Sequence, residues 1–109
     1  VALNNNSIGG LRADLPDGPL TFGRLYDIFP FDNRLVRVTL RGDALERGIA
    51  NALRRGRRGA FGISGAHVRV SCGEDGLHVR LFRPNGVPIA VSDTLVVAGM
   101  DMMLGGQLF

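Results

Sequence analysis

Few side chains in this sequence have the types and spacing that chemistry needs. The two histidines, His67 and His78, fall in "AHVRV" and "LHVRL", at equivalent places in the two arms of a hairpin, where they could face each other. A metal pair needs a third ligand, and no Asp or Glu stands at a convincing spacing. Cross-strand or solvent-facing histidines are the simpler reading. The single cysteine, Cys72, permits no internal disulfide and no multi-cysteine metal site. With no helix N-terminus beside it, it reads as a buried or incidental thiol rather than a nucleophile. Ser64 lies in Gly62-Ile63-Ser64-Gly65-Ala66, one glycine too early for a nucleophile elbow. No catalytic residue and no metal ligand emerges, and the segment by itself reads as no enzyme.

A different chemistry is written in "SIGGLRADLPDGPLTFGRLYDIFPFDN", residues 7 to 33. Gly9 and Gly10 let a backbone approach a ligand closely. Arg12 follows, with a planar fork of donors suited to a ribose, phosphate or carboxylate. Phe31, held behind Pro30, offers a flat stacking surface whose natural guest is a nucleobase. Phe29 and Phe31 can instead plug the core; one is inward and one free, and with Pro30 holding Phe31 at a pocket mouth, Phe29 is the expected core residue and Phe31 the partly exposed ring.

The elements that must position these residues read as follows. "VALNN" (1–5) is a short buried strand, and "ADLPDGP" is a loop with turn signals. Thr21 can cap a helix over 22–28 in which Phe22, Leu25, Tyr26 and Phe29 share helical spacing, and Pro30 stops it. Residues 34–42 alternate as a half-exposed strand. Asp43 and Glu46 resemble a capping box opening a helix over 44–55, with Leu45, Ile49, Ala52 and Leu53 inward. Gly56 ends that helix, with Arg54, Arg55, Arg57 and Arg58 where cations suit a C-terminus. "AHVRVSC" and "LHVRLFR" make a hairpin across Gly-Glu-Asp-Gly. "NGVPIAV" and "TLVVAGM" are further strands, and Gly105-Gly106 is a second glycine corner. The order predicts an α+β fold with a mixed β-sheet and two to three helices.

At 109 residues the chain is one domain. A hydrophobic content of 45% suits a globular α/β or α+β protein rather than a disordered one, and no apolar run is long enough to span a bilayer. The net charge of +3 comes from 13 arginines without a lysine. Compositional bias explains this most simply, and a nucleic-acid-binding module using the 54–58 arginine cluster is the alternative. The chain opens without a methionine or a signal peptide and reads as a piece excised from a longer one.

"VALNNNSIGGLRADLPDGPLTFGRLYDIFPFDNRLVRVTLRGDAL" resembles the C-terminal domain of the 5′-nucleotidase/UDP-sugar hydrolase family of bacterial type. That family carries an Asn-x-Gly-Gly-Ile-Arg turn, a Gly-Pro-x-Thr-(Tyr/Phe)-Gly segment and a Pro-Phe-x-Asn corner. "FGISGAHVRV" resembles its Ser-Gly-bearing strand and "MLGGQLF" its closing Gly-Gly-Asp-Gly region. The resemblance spans residues 1–109, most of such a substrate-binding domain. It implies a periplasmic or extracellular phosphoric ester hydrolase of nucleotide catabolism.

In that family an N-terminal metallophosphoesterase domain, absent from this chain, holds two divalent metals, and metal-bound hydroxide attacks phosphorus. The C-terminal domain grips the nucleoside. The resemblance implies that Gly9 and Gly10 approach the substrate, that Arg12 contacts its nucleoside end and that Phe31 stacks on the base. Asn33 closes the Pro-Phe-x-Asn corner, and Gly105 and Gly106 form the closing turn. The family's asparagine falls on Ser7, or on Asn6 if the turn is one residue longer. Its second stacking aromatic falls near Asp101, among Met100, Met102 and Met103, and its final aspartate is Gln107. The expected partners are a nucleotide or nucleoside and the catalytic domain of the same polypeptide, with no nucleic acid and no membrane span.

Overall fold

Val36, Val38 and Leu40 alternate with Arg37, Thr39 and Arg41, and this two-residue period builds the strand it predicts. A computed structural model describes residues 1–5, 12–55 and 61–107. In chain order these form β1 (Ala2–Asn5), α1 (Phe22–Ile28), β2 (Leu35–Arg41), α2 (Gly42–Arg54), β3 (Phe61–Ser64), β4 (His67–Gly73), β5 (Gly76–Phe82) and β6 (Thr94–Met100). A π-helical turn, Met103–Gln107, follows. The main sheet has the order β2-β6-β1-β3, and β4 and β5 form a separate two-stranded sheet. β6 runs parallel to β1 and antiparallel to β2, while β1 and β3 are antiparallel. The fold is therefore α+β with a mixed sheet, as the order of elements predicts.

α2 packs against β5 and β2 and seals one continuous core. Its Leu45 and Ile49 are wholly buried and Ala52 nearly so, while Leu53 packs at the margin. Arg47, Arg54 and Arg55 stay exposed. The helical period thus places the apolar stripe correctly, and Gly48 and Ala50 join it. Leu95 and Val97 of β6, Leu3 of β1 and Leu81 of β5 meet that stripe, with Met103 and Leu104 of the π-helical turn.

The start of α2 differs from the expected capping box. The helix begins at Gly42 and its N-cap, Arg41, makes no side-chain cap. The first two amides donate elsewhere, Gly42 N–H to the Asp93 carbonyl (2.9 Å) and Asp43 N–H to that of Val91 (3.0 Å). Glu46 is not free to reach back, because its Oε1 accepts from the Leu81 amide at 3.2 Å. Asp43 instead gathers cations. Its Oδ2 accepts from Arg47 (2.9 Å) and its Oδ1 from Arg41 (3.2 Å), which hold the carboxyl below its usual range.

Other expectations are corrected by the hydrogen bonding. "NGVPIAV" is not a strand. It meets β5 in one isolated bridge, Pro88 to Phe82, closed by Ile89 N–H to the Leu81 carbonyl (2.9 Å) and Arg83 N–H to the Val87 carbonyl (2.8 Å). Gly105-Gly106 is not a loop corner but part of the π-helical turn. "FGIS" forms a strand of its own, β3, which periodicity does not mark. Thr21 does cap α1, accepting from Arg24 N–H at 3.3 Å. Yet Phe22 is 79% exposed, Leu25 and Tyr26 are exposed too, and only Ile28 is buried. The two histidines do not face each other, since His67 lies opposite Phe82 and His78 opposite Ser71. The expected helix-ending Gly56, with Arg57 and Arg58, lies outside the described residues.

Gly42 stands where two segments meet, and a Cβ there would run into the Ala90 carbonyl oxygen. Gly42→Ala should therefore displace either the helix start or the 90–93 loop. Urea unfolding should register a loss of about 1–3 kcal/mol, the range of overpacking. An unchanged midpoint would show that the junction has slack.

Candidate substrate-binding corner

The corner is assembled from loops tied to the ends of regular elements. The Arg12 backbone amide donates to the Ile28 carbonyl at 2.9 Å, which fixes the loop to the last turn of α1. Phe29 caps that helix, with its own amide bonded to the Leu25 carbonyl at 2.8 Å. Pro30 then forces the chain out of helix and carries Phe31 to the same end of the molecule.

Arg12 and Phe31 come together there. The Arg12 guanidinium carbon lies 5.3 Å from the centre of the Phe31 ring, within cation–π range. Phe29 meets Phe31 nearly at right angles, 79° between planes and 5.2 Å between centres. Arg12 is exposed and makes no ion pair among the described residues. The expectation that Phe29 is core and Phe31 the open ring is half met. Both rings are half-buried, because Ile28, one residue earlier, takes the core position at the end of α1.

Asn33 and Arg34 tie the corner to the end of β6. Asn33 Nδ2 donates to the Met100 sulfur at 3.5 Å. The Arg34 amide donates to Asp101 Oδ1 (3.2 Å), and the Asp101 amide returns a bond to the Arg34 carbonyl (2.9 Å). Asp101 Oδ1 also accepts from the Met102 amide at 2.8 Å. Nothing in the sequence pattern marks Asp101 for this task. Of the three nearby methionines, Met103 is buried, Met100 is engaged by Asn33 and Met102 is 40% exposed. Gly105 and Gly106 are exposed beyond them, with open space where side chains would stand. Asn6, Ser7, Gly9 and Gly10, the other expected site residues, lie outside the described residues.

The remaining reactive side chains do not gather into a centre. His78 Nε2 lies 2.7 Å from Asp75 Oδ1 in the hairpin turn, an interaction that holds the Asp75 carboxyl below its usual range. Cys72 is exposed rather than buried. Among the described residues no three His, Cys, Asp or Glu side chains are placed to hold a metal ion. Arg54, part of the arginine cluster, donates to the Leu77 carbonyl at 3.3 Å.

Comparison with known proteins agrees with the fold. A family model described as "5'-nucleotidase, C-terminal domain" matches residues 1–109, and the chain belongs to that family. The trifunctional nucleotide phosphoesterase protein YfkN of Bacillus subtilis is 33% identical over 117 residues, covering 97% of this chain and 8% of that protein. Endonuclease YhcR of the same organism is 48% identical over 44 residues, covering 40% of this chain and 4% of its own length. The chain thus spans less than a tenth of these relatives.

Among solved structures, a 5′-nucleotidase precursor from Thermus thermophilus superposes with a TM-score of 0.55 at 29% identity, covering 98% of this chain and 22% of that one. The Haemophilus influenzae NAD nucleotidase shares the fold with a TM-score of 0.60 at 24% identity, covering 98% of this chain and 21% of that one.

Asp101→Ala removes the acceptor of two backbone amides. A net hydrogen bond is worth about 0.5–1.5 kcal/mol. Amide exchange at Arg34 and Met102 should accelerate correspondingly, ahead of global unfolding. Exchange that stays slow at both amides would mean that the ladder between β2 and β6 alone holds the corner.

Proposed function

We propose that this domain recognises the nucleoside end of a nucleotide for a 5′-nucleotidase-like phosphoric ester hydrolase of nucleotide catabolism. The observation that carries the reading is the Arg12–Phe31 contact, which sets a planar cation against a flat ring at a half-open corner. A nucleotide offers matching parts. Its base can lie on the Phe31 ring, and its ribose or phosphate oxygens can accept from Arg12. The phosphoesterase and nucleotidase names of its relatives support the same substrate class.

The chain's own residues bind and orient but do not break the ester bond. Phe31, braced by Phe29, fixes the plane of the base, and Arg12 fixes its distance from the loop. The described residues do not fit a dinuclear metal centre, since their histidines lie apart and His78 is held by Asp75. Hydrolysis and its two divalent metals fall, on this reading, to polypeptide outside residues 1–109. A periplasmic or extracellular site of action is part of the proposal and rests on the family resemblance.

The test is substrate-dependent. In the full-length enzyme Phe31→Ala should weaken kcat/KM for a nucleotide by the loss of one base stack, about 1–3 kcal/mol. A base-free phosphate ester should be hydrolysed as before. Equal losses on both substrates would return Phe31 to a structural role. Arg12→Ala should act mainly on KM, with a loss of about 1.5–3 kcal/mol for a charge-assisted contact. An unchanged kcat/KM would remove Arg12 from the site.

A further inference from the structure

The β4–β5 hairpin presents a second chemistry on the face opposite its buried side. Val79 and Leu81 are buried in the core, with Val68 and Leu77 packed against it. The alternate positions, His67, Arg69 and Ser71 on β4 and His78, Arg80 and Phe82 on β5, point outward. Arg69 and Arg80 stand directly opposite each other in the register. Like charges so placed destabilise a ladder. Arg80 has a partial partner in Glu46, with Nη1 to Oε2 at 4.0 Å. Arg69 has no carboxylate partner among the described residues, and its guanidinium carbon instead lies 4.8 Å from the centre of the Phe82 ring. His67, Val68, Arg69, Phe82 and Gly86 line a shallow recess of about 340 Å³. The nearby acids, Glu74 and Asp75, sit in the turn at the far end, and Asp75 is occupied by His78.

We propose that this face binds single-stranded nucleic acid. Of the opposed arginines only Arg80 has a carboxylate near it, at 4.0 Å, and a phosphodiester backbone supplies repeated charges along a line that can answer both. The guanidinium over the Phe82 ring offers a cationic and aromatic surface for an unpaired base, while Arg80 takes a phosphate. An acidic peptide would satisfy the charges and leave that surface without a use. The residues of this face are not those of the 54–58 arginine cluster weighed from the sequence, and the face adds a partner that the family resemblance does not imply. It does not depend on the nucleotide-binding role of Arg12 and Phe31.

The intact protein should be titrated with fluorescein-labelled dT12 and, separately, with a labelled twelve-residue glutamate peptide, between 50 and 200 mM NaCl. The wild type should bind dT12 more tightly than the peptide. Arg69→Gln combined with Arg80→Gln should weaken dT12 binding at least tenfold at 50 mM. The same pair should reduce the slope of log affinity on log salt by about 1.4, the share of two single-strand phosphate contacts. Hydrolysis of a mononucleotide should stay within twofold, which separates this outcome from any failure at the Arg12–Phe31 corner. Phe82→Leu should weaken dT12 and leave the peptide unaffected. In the wild type, dT12 should slow amide exchange across residues 67–82, a readout that needs no variant. Undiminished dT12 binding by the double variant, a peptide bound as tightly as dT12, or no protection at 67–82 would each overturn the proposal.

Discussion

The reciprocal bonds between Arg34 and Asp101 are the contact on which the Arg12–Phe31 corner depends. They join the entrance of β2 to the exit of β6, just beyond the Leu35–Met100 pair at the end of the ladder. β6 is also an interior strand of the main sheet, with Val97 wholly buried and partners on both sides. Its end is therefore a fixed point. Asn33 and the Phe29–Phe31 segment hang from that point by short chain lengths, and Arg12 reaches the same segment through Ile28. Rigidity in the ladder is thereby carried into a loop whose own residues bury little.

A similar tie governs α2. Glu46 commits its carboxylate to the Leu81 amide instead of to its own helix start, and this couples the helix to the hairpin. The helix start is satisfied by the carbonyls of Val91 and Asp93, while Asp93 also accepts from Arg83 at 2.9 Å and from the Ala90 amide at 3.2 Å. A loop that reads as a strand in the sequence is thus a helix cap in the fold. The need to satisfy the first helical amides, together with Pro88, outweighs the β-propensity of Val87, Ile89 and Val91.

These contacts explain what the sequence could and could not reveal. α2 was legible because burial of Leu45 and Ile49 is a periodic signal. β2, β6 and the hairpin were legible by alternation, and α1 by its Thr21 cap and Pro30 stop. The orientation of α1 was not, because a short apolar stripe looks the same whether it meets a core or water, and Phe22 meets water. Likewise the histidines occupy equivalent places in similar segments, but register depends on a two-residue turn that sets them four positions apart. At the corner, Arg12 and Phe31 stood out by residue type, and the fold sets the guanidinium 5.3 Å from the ring centre. Asp101 did not stand out, since an aspartate that accepts from distant backbone amides leaves no local pattern.

Asp101 also bears on how the proposed site would read a base. The family resemblance puts a second stacking aromatic near this position, but here the side chain is committed to the amides of Arg34 and Met102. An aromatic ring at 101 could not make those bonds, so the strap and a second stack exclude one another at this position. Of the neighbouring thioethers only Met102 is exposed, and sulfur–aromatic contact contributes less than a ring. On the proposed reading the base is held mainly from the Phe31 side. One-sided stacking makes little distinction among bases, since every base has a face to offer. Whatever discrimination the site achieves must then come from hydrogen bonding at the base edge, within reach of the 31–33 corner, rather than from the closeness of a clamp.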